Sequence, residues 1–154
     1  MRLLCFASSL LIHRNDSTNY SDQKIVNYTT ETPADVAVLI SSWNLPLYLL
    51  SCKIAPCWRQ IVLLFAIPSE FTSLNAHLLC DSFLKAGQPI VFGYGHKIGN
   101  DLVTHPEINL VSFTGVTLTG SKIKTATALH TNKKLSLELG DKNAGIVFPD
   151  ADQC

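Results

Sequence analysis

An α/β domain built on a doubly wound, mostly parallel sheet is the fold class this sequence predicts, and three observations carry it. Strand-like apolar runs alternate with segments of helical period, the runs are apolar at nearly every position, and glycine or proline marks the joints. A strand that is apolar on both faces needs helices on both sides, which is the burden of a parallel sheet. With 154 residues, 47% of them apolar and 16% charged, the chain can bury one core and is too apolar for a disordered segment.

Residues 1–32 are expected to hold an N-terminal helix and a β-arm, and residues 33–154 the α/β domain. The opening Met1-Arg2-Leu3-Leu4 has the look of an export signal, but no small-x-small cleavage site precedes His13-Arg14-Asn15-Asp16, so an amphipathic helix is expected. The polar stretch from Asn15 leads into Ile25-Val26-Asn27-Tyr28-Thr29, a β-arm outside the main sheet. Val36 to Ile40 is the first buried strand. Leu45 to Ala55 is a helix, with Pro46 near its start and Leu47, Leu50 and Ile54 at helical spacing.

Ile61 to Ala66 is the next strand. Pro68-Ser69-Glu70 begins a helix whose inner face is expected to run Phe71, Leu74, Leu78, Phe83 and which stops at Gly87. Ile90-Val91-Phe92 is a short strand, and Gly93-Tyr94-Gly95 turns it into a helix through Leu102. Leu110 to Phe113 is a strand and Thr117 to Leu129 a helix. Leu135 to Leu139 and Gly145 to Phe148 close the sheet, joined by the turn Gly140-Asp141-Lys142-Asn143.

Charge excludes some partners. Twelve basic residues balance twelve acidic ones, which offers nothing for nucleic acid or an anionic membrane surface. No apolar run reaches the roughly 18 residues that span a bilayer. The cysteines (Cys5, Cys52, Cys57, Cys80, Cys154) form no C-x-x-C pair, so neither zinc nor a disulfide framework is expected. Reduced, mostly buried thiols imply a cytoplasmic protein, in which the sequons at Asn15 and Asn27 stay unmodified. His13, His77, His96, His105 and His130 have no partner spacing and read as structural or solvent-exposed.

Ligands of such sheets bind beyond the carboxyl ends of the strands. Four loops there stand out: Ser42-Trp43-Asn44-Leu45-Pro46, Pro68-Ser69-Glu70, Phe113-Thr114-Gly115, and Leu137-Glu138-Leu139-Gly140-Asp141-Lys142-Asn143. Taken singly, Asn44 suits a helix cap, Glu70 complements a helix dipole, Glu138 is a strand-end carboxylate and Trp43 a core side chain. In this order and spacing, the set resembles the aldehyde dehydrogenase superfamily from about Cys5 to Asp152, with wording nearest to its semialdehyde-oxidising branch.

The resemblance implies a Rossmann-like cofactor domain and an oxidoreductase acting on a small aldehyde with NAD(P)+ as acceptor. It assigns the amide of Asn44 to an oxyanion hole, where a preorganised neutral donor stabilises developing charge without proton transfer. It makes Glu138 the general base that activates water, and Leu137 and Leu139 on either side suggest partial burial. Glu70 falls to the adenosine ribose hydroxyls and Gly95 to the adenine face. Gly115 falls to the helix that meets the diphosphate, and Trp43 and Gly140 to the nicotinamide side. Asn44, Glu70, Gly115 and Glu138 are expected to face one cleft.

Departures from the family pattern bear on activity. The family's nucleophilic cysteine lies beyond the Glu138 motif, and Cys154 stands in the wrong context to replace it, so the chain is expected to be inactive alone. Ile67 stands where the family has a ribose-binding lysine, Val116 where it has a serine, and Asp141 where it has a second glycine. Weak or absent NAD binding is therefore expected. Several residues are missing between Gly87 and Ile90. Cys57 to Ile67 keeps the family's length but not its wording, as two compensating frameshifts would leave. The alternative reading is a non-enzymatic remnant or interaction module that associates with full-length subunits.

Overall fold

The computed structural model describes residues 17–22, 25–29, 35–59, 63–140, 145, 146 and 148. The helix expected at the N-terminus lies outside these residues, as do Asp141 and the cysteines at positions 5 and 154. Strands β1 (Ser17–Asp22) and β2 (Ile25–Thr29) pair antiparallel as a separate two-stranded sheet, with an irregular register between Tyr20 and Asp22. The main sheet holds β3 (Val36–Ile40), β4 (Leu63–Ile67), β5 (Leu110–Thr114) and β6 (Lys134–Glu138), all parallel, in the order β4-β3-β5-β6.

Helices cover both faces. On one side α1 (Pro46–Arg59), α2 (Ser73–His77) and α3 (Cys80–Lys85) lie over the sheet. Leu50, Ile54, Ala76 and Phe83 pack there against Ala37, Leu39, Leu64 and Ala66. On the other side, Val103 from α4 (Asn100–Thr104) and Ile123 from α5 (Thr117–Ala126) pack against Val38, Ile67, Val111 and Phe113. Residues alternate in direction along a strand, so β3 sends Ala37 and Leu39 one way and Val38 the other. The central strands are buried on both sides for that reason.

Chain order builds the ligand edge. β3 starts mid-sheet, β4 is laid on one flank, and the chain then crosses to place β5 on the other flank of β3. The connections leaving β3 and β5 therefore part in opposite directions at the carboxyl edge, which is where such sheets open a crevice.

Several elements differ from expectation. Pro56 does not end α1, which runs on to Arg59, since its ring is exposed and one lost bond near a helix end is tolerated. Ile90 makes only an isolated bridge to Ala66, because Pro89 has no N–H with which to continue a ladder. Gly145, Ile146 and Phe148 form no strand, and Val147 lies outside the described residues. The segment after Pro68 is not one helix but a 3₁₀ turn (Glu70–Thr72) followed by α2 and α3. Its inner face is Ala76, Leu79 and Phe83, whereas Phe71, Leu74 and Leu78 are 81%, 75% and 76% exposed. Two apolar stripes compete here, and packing selects the one whose small member, Ala76, lets the helices sit close to the sheet.

The stop at Gly87 is as expected. Gly87 has φ +70°, its N–H donates to the carbonyl of Leu84, and the N–H of Gln88 donates to that of Phe83. These paired bonds make a Schellman cap, which needs a left-handed residue. Gly87→Ala is expected to lower stability by about 1 kcal/mol on urea denaturation, from backbone strain alone, since no atom lies within 4 Å of the added methyl.

Candidate functional site

The loops leaving all four parallel strands converge on one open cleft of about 880 Å³. Asn44 and Trp43 enter from the β3 loop, Glu70 from the β4 loop, Gly115 from the β5 loop and Gly140 from the β6 loop. Gly95 and His96 reach it from a wide π-type turn (Gly95–Gly99), and Lys122 from α5. Trp43 is 64% exposed at the rim, so it is not a core side chain.

Asn44 Oδ1 accepts from Ser42 Oγ at 2.7 Å and from the N–H of Leu45 at 3.1 Å. An N-cap bonds the second or third N–H of its helix, so Asn44 is not one here. Both bonds engage the oxygen, which leaves the Nδ2 hydrogens as the donors this side chain can offer. Glu70 opens its 3₁₀ turn as an exposed first-turn carboxylate, while the neighbouring Ser69 Oγ accepts from the N–H of Phe71. Gly115 donates its N–H to the carbonyl of Glu138, tying β5 to β6 at the cleft edge. A methyl at Gly115 would stand 2.5 Å from the buried ring of Phe113.

Ile67 and Val116, where the resemblance leads one to expect a lysine and a serine, are placed differently. Ile67 is buried in the core at the cleft floor, 3% exposed. Val116 is exposed at the N-terminus of α5 and offers no side-chain cap. Tyr94 and His96 stack at 5.6 Å between ring centroids beside the cleft. His96 thus lines a site that sequence spacing alone did not assign to it.

Glu138 does not join this cleft. Leu135 and Leu137 of β6 turn toward the α4–α5 face, so alternation sends Ser136 and Glu138 to the α1 face. The four residues share one sheet edge, but Glu138 lines a second groove of about 370 Å³ there. It is also exposed rather than partly buried.

Lys53, on α1, lines the same groove and donates from Nζ to Ser112 Oγ at 2.7 Å. Burial holds its ammonium below the ordinary lysine range, an effect that Glu138 and Cys57 partly oppose. Burial likewise pushes the Cys57 thiol up, with Lys53 acting against it. Lys53 was missed at the level of sequence, although a lone cation between Leu50 and Ile54 on a helix that packs against a sheet is a readable signal. Cys52, Cys57 and Cys80 are half-buried, more open than the buried thiols expected.

No helix among the described residues is long and apolar enough to cross a membrane. A model of the aldehyde dehydrogenase family matches residues 2–153. The chain is 49% identical to the 2-aminomuconic semialdehyde dehydrogenase of Danio rerio over 97% of its length, and equally to that of Homo sapiens. It spans about a third of each of these relatives, 32%. The NAD+ complex of an aldehyde dehydrogenase from Bacillus cereus superposes with a TM-score of 0.80 at 31% identity, over 96% of this chain and 31% of that one.

Proposed function

The chain belongs to the aldehyde dehydrogenase family, and we propose that it carries that family's nucleotide cleft, in a weakened form, as one part of an NAD-linked oxidation of a small semialdehyde. The observation that supports this most is the meeting of Asn44, Glu70 and Gly115, from three separate loops, in one cleft at the carboxyl edge.

The residues present fit a dinucleotide. The cleft is at the upper end of ligand-site volumes. Glu70 supplies a carboxylate acceptor suited to ribose hydroxyls. Gly115 and the uncapped N-terminus of α5 present backbone toward a diphosphate, a favourable place for an anion. Bound NAD+ would supply the hydride acceptor. Asn44 would stabilise an oxyanion through Nδ2, and Trp43 would shield one side of the cleft from water. No cysteine lines the cleft among the described residues, so the covalent step has no nucleophile there.

Calorimetric titration with NAD+ tests this reading. Weak but measurable binding is expected, reduced about tenfold by Glu70→Gln and unchanged by Glu138→Gln, whose side chain lies in the other groove. Equal losses from both substitutions would overturn it. Ile67, Val116 and the exposed stripe Phe71, Leu74, Leu78 favour a second reading, a remnant that associates with full-length subunits. Complete absence of NAD+ binding, with co-elution beside a full-length family member, would select it.

A further inference from the structure

The groove on the α1 side of the sheet is separate from the nucleotide cleft and is lined by Lys53, Glu138 and the half-buried Cys52 and Cys57. We propose that Lys53 is a covalent capture site for small aldehydes, its ε-amine condensing to a Schiff base in the groove it shares with Ser112 and Glu138. Nothing in the cleft on the other side takes part.

Geometry supports the assignment first. Lys53 crosses from α1 to the sheet and is held by Ser112 Oγ at 2.7 Å, so the amine has a set position. Glu138 is two residues from Ser136, the register partner of Ser112, and lines the same groove. A volume of about 370 Å³ has room for a short aldehyde. Partial burial also favours the neutral amine, the form that attacks a carbonyl, and lysines that form Schiff bases are activated in this way. The exposed Glu138 carboxyl can exchange protons with water and with the adduct.

The reaction balances without an oxidant. The Nζ lone pair attacks the carbonyl carbon, a C–N bond forms, and the C=O π pair moves to oxygen. A proton passes from nitrogen to that oxygen, giving a carbinolamine. Glu138 then lends a proton, the hydroxyl leaves as water, and the nitrogen pair closes the C=N bond. Loss of the remaining N–H proton returns it to Glu138. Amine plus aldehyde gives imine plus water, with no change of oxidation state.

Trapping with propanal and sodium cyanoborohydride, followed by peptide mass spectrometry, reads out each lysine in the native chain. At neutral pH, Lys53 is expected to be alkylated severalfold faster than Lys85 and Lys97, which are the more exposed, because its amine is held in the groove and burial favours its neutral form. The groups facing it are Glu138 on β6 and, on its own helix, Cys52 and Cys57. Ser112 and Thr114 of β5 and Leu39 of β3 carry no charge. Its advantage should shrink as pH rises through the ordinary lysine range, where every amine becomes neutral. Ser136→Trp, which fills the groove beside Lys53 without changing its charge, should slow Lys53 alkylation and leave Lys85 unchanged. Alkylation that merely follows exposure, or a Lys53 rate indifferent to Ser136→Trp, would overturn the proposal.

Discussion

Replacing Ile67 by lysine and Val116 by serine is expected to tighten NAD+ binding by the 154-residue chain about 30-fold. Each change restores one polar contact of about 1 kcal/mol, and 2 kcal/mol is roughly a factor of 30 in affinity. The two sites differ in what else they alter. Val116 is exposed, so a serine there costs nothing in packing and adds a hydroxyl at the start of α5. Ile67 is 3% exposed against Val38 and Phe113, so a lysine must lay its stem along that core and carry its ammonium into the cleft. Thermal denaturation alongside calorimetry separates the gain in binding from a loss in stability. Asp141→Gly should add to the gain by removing a carboxylate, at a position outside the described residues. None of these changes should produce reduced cofactor from an aldehyde, followed by absorbance, because no cysteine among the described residues lines the cleft. Tight binding by the unaltered chain would contradict the weakened-cleft reading.

Phe83→Ala should cost about 3–5 kcal/mol, a large share of the 5–15 kcal/mol that a domain of this size holds. Leu78→Ala should stay within about 0.5 kcal/mol. Both residues fall on the one helical stripe that the sequence suggests, yet Phe83 is 5% exposed beneath α3 and Leu78 is 76% exposed. Urea denaturation of the two variants reads the difference directly. Equal destabilisation would mean that the continuous stripe is buried and that the break between α2 and α3 is not real.

Much of the fold was legible because the signals were local. Val36 to Ile40 and Leu110 to Phe113 are apolar at almost every position, and a strand of that kind belongs inside a parallel sheet whatever surrounds it. Gly87 marked a helix end because a left-handed residue is required there and glycine takes it without strain. The family, too, was legible, since it rests on short motifs in a fixed order, and the match over residues 2–153 bears it out. Trp43, Asn44, Glu70, Gly95, Gly115 and Gly140 stand in loops that the strand pattern puts at one sheet edge, and all six line one cleft there.

What the sequence could not determine depends on phase and on neighbours distant along the chain. The segment after Pro68 holds two apolar stripes of equal period. Only the space over Ala66 and Leu39 decides that Ala76 and Phe83 go in and Phe71, Leu74 and Leu78 stay out. On β6, a one-residue choice sends a side chain to one face or the other. Packing of Leu135 and Leu137 against the α4–α5 side therefore turned Glu138 away from the cleft it was expected to share, and toward Lys53 on α1. Residue identity and spacing are properties of the chain, so they determined the elements and the family. Which face a side chain occupies follows from the burial of its neighbours, and tertiary packing alone decided that.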